Sequence, residues 1–351
     1  MIDKILKMSH DANKPEKLIE LENELITRNS PRYYFLASYY VKNLNIAKIS
    51  SKILETNNPR YVSFYFCQIK NIDLEKFFAK ILSFNDAKLI FYALYDKKNL
   101  DDGFFIKGIQ KLLTLKNNNH YLGLTFFYYF IVLRRYNDII FNYLKSLLPS
   151  ITKDNYKAVL ENYRNNSKEK VIVHEEECPN KFIGHNDVIP DMIVCHISFD
   201  YGRIINRFYD ENIEVSSHFA VSRKGEYQQF VDLANSSWAN GTSFNDSSDV
   251  YNYFAKSDIV KSRNINANYY TFSIEHESMD GSLTEIQYQT SLKLMCRIID
   301  FVKEKYNFDF PIDNEHIVGH MDINPIVRVS CPGEKFPLEQ FINDLHKIYK
   351  R

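Results

Sequence analysis

The chain has 351 residues, 45% apolar and 25% charged, which is enough to bury two hydrophobic cores. Its 44 Lys and Arg balance 44 Asp and Glu, which excludes the basic footprint of a nucleic-acid binder and the polybasic patch of a membrane ligand. Five cysteines without regular spacing (Cys67, Cys178, Cys195, Cys296 and Cys331) exclude a disulfide framework and point to synthesis in a reducing compartment.

The first thirty residues hold no long apolar run of the kind a secretory leader carries, so cytoplasmic synthesis without a signal peptide is expected. Asn29-Ser30-Pro31-Arg32-Tyr33 recurs downstream as Asn57-Asn58-Pro59-Arg60-Tyr61. A weaker copy opens at Asn85, after the same interval, and a fourth begins slightly late near Asn117. Each unit starts with a polar, Asn-rich turn suited to capping a helix. An aromatic run follows, and then an amphipathic stretch such as Ile46–Leu54, where Ile46, Ile49 and Ile53 share a helical face. Two helices per unit predict an all-helical domain over 1–165. It reads either as a small α-solenoid or as an irregular bundle in which the echoes are coincidence. The most apolar segment, around Leu122–Leu133, is too short and too rich in Tyr to span a bilayer.

A polar linker is expected over 166–178, where the pattern changes. From 179 to 351 short β-like runs are separated by Asn, Gly, Ser and Asp. The candidate strands are Met192–His196, His218–Ser222, Gln228–Val231 and Tyr270–Glu275. Ser282-Leu283-Thr284-Glu285 reads as a capping box opening a helix whose Leu292, Met295, Ile299 and Val302 form one apolar face. A last helix runs from about Leu338 to Tyr349. The fold class is therefore α plus α/β: a helical N-terminal domain, then a mixed central sheet flanked by helices.

Gly319-His320-Met321-Asp322-Ile323-Asn324-Pro325 precedes Cys331-Pro332-Gly333, so a histidine and a cysteine flank a Pro-bearing loop. Imidazole nitrogen and thiolate sulfur are the donors zinc prefers, and a catalytic zinc takes three of them and keeps one position open. His196, at the end of the apolar run Met192–His196, offers the third. Alone it reads as a structural histidine at a strand end, and alone Cys331 reads as a small buried hydrophobe. Together the three point to a metallohydrolase.

Five motifs in order carry a resemblance: Cys195-His196-Ile197-Ser198, Ser217-His218-Phe219, Trp238-Ala239-Asn240-Gly241, Phe272-Ser273-Ile274-Glu275, and Gly319-His320 through Cys331-Pro332-Gly333. From about Ile183 onward the chain resembles the type 2 N-acetylmuramoyl-L-alanine amidases, which share a fold with peptidoglycan-recognition proteins. The resemblance implies Zn2+ on His196, His320 and Cys331, and hydrolysis of the amide between N-acetylmuramic acid and L-alanine in peptidoglycan. It implies Glu275 as the general base and places His218, Trp238 and Asn240 toward the substrate. For His218 a satisfied core histidine is an equal reading, and for Trp238 simple packing competes. Asn240 stands where many relatives carry His. Asp322 reads either as a hydrogen-bond partner of a ligand imidazole or as a loop cap. Relatives carry Lys or Thr two positions before the third ligand; Val329 stands there, which leaves Arg328 to supply positive charge.

The role implied is that of an endolysin or delivered lytic effector acting on the cell wall, with a wall or protein partner for the helical domain. Two other readings are a non-catalytic peptidoglycan-binding module on the same fold, and an interaction scaffold carrying an amidase. Relatives of the binding type typically lose a ligand, and here all three are present.

Overall fold

The computed structural model describes residues 1–10, 15–97, 99–116, 119–166, 177–243 and 252–350. The chain divides into two compact units, Met1–Ser167 and Lys168–Arg351. Most of the expected linker, 167–176, lies outside the described residues.

The first unit is helical throughout: α1 (Ile2–His10), α2 (Pro15–Arg28), α3 (Pro31–Tyr40), α4 (Ile46–Glu55), α5 (Pro59–Gln68), α6 (Leu74–Ser83), α7 (Ala87–Asp96), α8 (Asp102–Thr114), α9 (Asn119–Phe127), α10 (Asp138–Leu147) and α11 (Tyr156–Asn166). Helices α3, α5 and α7 start at even intervals, at 31, 59 and 87, and α4, α6 and α8 keep the same interval at 46, 74 and 102. Polar side chains cap the starts: Asn45, Asn58, Asp73, Asp86 and Asp101 each accept a hydrogen bond from a first-turn backbone N–H. The turns between helices are equally regular. Asn29, Asn43, Asn57, Asn71, Asn85 and Asn99 all have positive φ, evenly spaced at one per inter-helix turn. Asparagine is the side chain that best tolerates this left-handed conformation. Helix α3 packs on α4 and α5, and α5 packs on α6 and α7. The buried faces are aromatic, with Tyr34, Phe35, Tyr65, Phe66, Phe77, Phe78 and Phe91 fully enclosed. Beyond α8 the spacing slips. Asn117 and Asn118 lie outside the described residues, and α9 opens at Asn119.

The second unit is built on β1 (Lys181–Phe182), β2 (Met192–Ser198), β3 (Phe219–Val221), β4 (Tyr227–Gln229), β5 (Ser236–Ser237), β6 (Thr271–Glu277) and β7 (Ile317–Gly319). Its helices are α12 (Tyr201–Phe208), α13 (Asp258–Ser262), α14 (Glu285–Tyr306), α15 (His320–Ile323) and α16 (Leu338–Tyr349). Five strands form a mixed sheet in the order β4-β3-β6-β2-β7, parallel except for β4, and β1 pairs with β5 apart from it. One face carries Ile193, Cys195, Phe272 and Ile274, covered by α14 and α16. The other carries Met192, Val194 and Val318 under α15 and the 255–270 segment, and Ala220 under α12. Alternation along each strand thus sorts the two cores.

Two expectations shift. Helix α14 begins at Glu285, and its N-cap is Thr284, which accepts from Gln287 N; Ser282 is instead tied to Asp280. Strand β7, Ile317–Gly319, is too short to show as a pattern in the sequence.

Candidate metal centre

Three adjacent parallel strands set the site. In the β2–β6 register His196 lies opposite Glu275, and in the β2–β7 register Cys195 lies opposite Gly319. His196, Glu275 and His320, the residue after Gly319, therefore reach the same level at the C-terminal ends of neighbouring strands. In an open α/β sheet this is where ligand sites form. His196 lies two positions beyond Val194 on the face opposite α14. Glu275 follows Thr271 and Ser273 on the corresponding face of β6, where the side chains beneath it are polar.

The loop from α15 to Gly333 returns the third donor. Met321 N donates to Cys331 O at 2.8 Å. A Cβ on Gly319 would stand 2.4 Å from Pro332 Cδ, and Gly333 has φ +99° with Asp280 backbone 2.5 Å from where its Cβ would be. Glycine is required at both positions by close approach, and at 333 also by conformation. Asp322 Oδ2 accepts from Gly319 N at 2.9 Å, so of its two readings it takes the loop-capping one.

One donor atom each from His196, His320 and Cys331 lies within 4.8 Å of the others, and this is the group of that kind among the described residues. The two imidazoles stand 4.3 Å apart, ring centre to centre. Cys331 Sγ accepts a hydrogen bond from Ile197 N at 3.4 Å. Burial, aided by the Arg328 and His276 charges, pushes the His196 pKa down to about 3. Burial also takes His320 well below its usual range, with His196 and Arg328 adding to the effect. Both rings are thus neutral, the form that donates a lone pair to a metal. Two neutral imidazoles and a sulfur at this spacing fit a tetrahedral zinc with one open position.

Glu275 Oε1 is 3.9 Å from His196 Nδ1, and Oε2 is buried with no partner. Burial raises this carboxyl to about 7, against the lowering charges of Arg328 and Arg207. Arg328 is itself exposed, and its charge bears on Glu275, His196 and His320 alike. Arg207, on α12, was not singled out by any motif. A lone arginine on a short helix leaves no pattern to read.

Two residues expected toward the substrate are buried. His218 is fully buried, with Nδ1 bonded to Ser273 and Nε2 to Asn235 O, so it has no atom left for a ligand. Asn240 is also fully buried and bonds Thr271 and Asn268. Trp238 is partly exposed and packs on Phe182 at 5.4 Å.

A family model described as N-acetylmuramoyl-L-alanine amidase matches residues 184–334. No curated protein matches the chain. Among solved structures, the chain is similar to a selenomethionine derivative of AmpD (18% identity, covering 50% of this chain and 93% of that one, TM-score 0.33). It is similar also to N-acetylmuramoyl-L-alanine amidase LysC from Clostridium intestinale URNW (18% identity, 51% and 99% coverage, TM-score 0.32). The endolysin amidase LysCS from the same organism is a third (19% identity, 51% and 97% coverage, TM-score 0.32).

Proposed function

From the premise that the C-terminal half carries a type 2 N-acetylmuramoyl-L-alanine amidase domain, we propose that the chain is a zinc-dependent peptidoglycan hydrolase. Its target is the amide between the lactyl group of N-acetylmuramic acid and L-alanine. The observation that carries the reading is the clustering of His196, His320 and Cys331 beside the Glu275 carboxyl, whose Oε2 is buried without a partner. Zinc, when bound, supplies Lewis acidity: it lowers the pKa of water at its open position to about 7 and polarises a carbonyl.

The remaining work falls to the chain. Glu275 receives the proton of the attacking water on a carboxylate oxygen and returns it to the departing amide nitrogen of alanine. A base with pKa near the working pH is suited to both transfers. Arg328 holds a positive charge over the centre and opposes the negative charge that develops on the carbonyl oxygen. Trp238 offers a partly exposed ring for a sugar or stem-peptide face. His196, His320 and Cys331 hold the ion, and no amidase step requires His218 or Asn240 to touch substrate.

We take residues 1–165 as a separate helical-repeat domain, joined through 166–178 to the catalytic domain at 179–351. Its task is to engage the wall or a delivery partner. In this reading the protein acts as an endolysin or a delivered lytic effector. Digestion of purified peptidoglycan followed by mass analysis tests the activity. Free stem peptides beginning with L-alanine, with glycan strands intact, are expected; cut glycan or an undigested wall would refute the assignment.

A further inference from the structure

The charge balance of the whole chain is the sum of two unlike halves. Residues 1–167 hold 25 Lys and Arg against 16 Asp and Glu, a formal net charge of +9, whereas 168–351 hold 19 against 28, a net charge of −9. Within the helical unit part of the excess is ordered. Short turns make successive helices antiparallel, and α3 packs beside α5 and α5 beside α7. These three helices therefore begin at one edge of the unit, where α2, α4 and α6 end. The last turns of α2, α4 and α6 carry Arg28, Lys52 and Lys80, where a cation suits the helix dipole. Arg32, Arg60 and Lys88, each the second residue of its helix, have no such reason. A first turn favours acids and disfavours cations, and none of these three first turns holds an acid.

The acidic residues at these helix ends, Glu24, Glu55 and Asp86, are already engaged. Glu24 accepts from Arg28 and Lys4, Glu55 accepts from Lys52, and Asp86 accepts from Leu89 N as the cap of α7. Lys80 donates to Asn57, in the turn before α5. Arg60 and Lys88 are exposed, and the Arg60 guanidinium lies over the Phe64 ring at 5.4 Å. Half-buried Tyr33 and Tyr61 directly follow Arg32 and Arg60. Packed helices are spaced at about 8–10 Å, so the edge offers one first-turn cation per helix pair at roughly that interval. A local preference broken in three successive units is the mark of a position set by function rather than by stability.

We propose that this edge is a binding surface for uncut peptidoglycan, its cations meeting the carboxylates of the stem peptides along a glycan strand. A stem-bearing strand is a sparse polyanion. Its charge comes on one branch per disaccharide, a repeat comparable in length to one helix-pair step. Its sugars offer ring faces to tyrosine, which pairs an apolar ring with a polar tip. Duplex nucleic acid carries a charge every ~1.7 Å of axis and calls for a much denser row of bases. The polymer is identified from the amidase reading of the other half, on which this proposal rests. Such an edge holds the enzyme on strands that still carry stems and lets it leave strands already stripped.

The test uses the full chain carrying Glu275→Gln, so that binding is read on an uncut wall. It should co-sediment with purified peptidoglycan and bind less as salt rises. Glycan strands stripped of stems by a different amidase should bind about 10-fold more weakly. In the same background Arg60→Glu/Lys88→Glu should weaken binding to intact wall by about 10-fold, the effect of two exposed ion pairs lost and reversed. It should melt no lower than its parent, because acids suit a first turn. Lys42→Glu/Lys70→Glu makes the same change of charge on exposed residues just past the ends of α3 and α5, at the far edge, and should bind as the parent does. Arg60→Gln/Lys88→Gln serves if the reversed pair does not fold. Equal loss in both charge-reversed variants would make net charge, not this edge, the cause and would overturn the proposal. Parent-like binding by Arg60→Glu/Lys88→Glu, or equal binding to stripped strands, would overturn it too. Self-association that Arg60→Glu/Lys88→Glu abolishes, with wall binding unchanged, would assign the edge to the acidic half of a second copy instead. A native chain that binds in the expected pattern yet frees no stem peptides would remove the amidase reading and leave the edge in place.

Discussion

At the scale of single residues, Glu275 and Cys331 do different jobs within one site, and substitutions should separate them. Glu275 is not one of the three clustered donors, and its Oε2 is buried without a partner. Glu275→Gln keeps shape and burial but removes the base. It should retain about one zinc per chain while wall hydrolysis drops by about 10²–10⁴-fold, the span of general-base catalysis. Cys331→Ala removes a donor and should lose most of the metal, as elemental analysis would show. A Glu275→Gln variant that releases peptides at the native rate would take the residue out of the mechanism. A Cys331→Ala variant that holds a full complement of zinc would take the sulfur out of the centre. The guanidinium of Arg328 presses on both imidazoles and the carboxyl. Arg328→Ala should therefore slow turnover more than it weakens metal uptake, by up to about 10²-fold if it supplies the oxyanion contact.

At the scale of elements, the positive-φ asparagines make a claim that one position can test. Asn71 has φ +59° between α5 and α6. Asn71→Ala places a Cβ in a region costing roughly 1 kcal/mol for an ordinary L-residue, whereas Asn71→Gly meets no such penalty. Chemical denaturation should show the alanine variant less stable than the glycine one; the reverse order would mean the asparagine side chain, not its backbone, matters there. These turns were legible in the sequence because polar caps and aromatic runs repeat at fixed spacing. The strand carrying His196 was legible too, as an unbroken apolar run. What could not be read was long-range pairing: nothing local says that His196 stands beside Glu275, on a strand much later in the chain. Side-chain direction was equally hidden. His218 and Asn240 lie in motifs that face a groove in the resemblance, yet their rotamers turn inward to Ser273 and Thr271. Helix α14 offered two overlapping capping registers, and the contact of Ser282 with Asp280 left Thr284 to serve.

At the scale of the molecule, the described residues of the C-terminal unit include five buried histidines, His185, His196, His218, His276 and His320, each at 6% exposure or less. Burial lowers the pKa of all five. The unfolded chain therefore binds protons that the native one refuses once pH drops below about 6.5, the unfolded value. Stability from this source is complete above that pH and is lost on acidification, by up to about 1.4 kcal/mol per pH unit for each histidine. Glu275 works the other way, since its folded pKa is raised to about 7: it takes up a proton on folding between roughly pH 4.5 and 7 and offsets one of the five. Melting of the metal-free protein should fall steeply from pH 7 to pH 5, and a flat profile would contradict the burial of these rings. The helical unit carries a different consequence. Because corresponding helices within α3–α8 start at a constant interval, excising residues 59–86 would join Asn58 to Ala87 with the helices that follow still in phase. Removing a single helix and its turn would break that phase. A change of length that keeps the phase of α3–α8 therefore adds or removes one helix pair at a time.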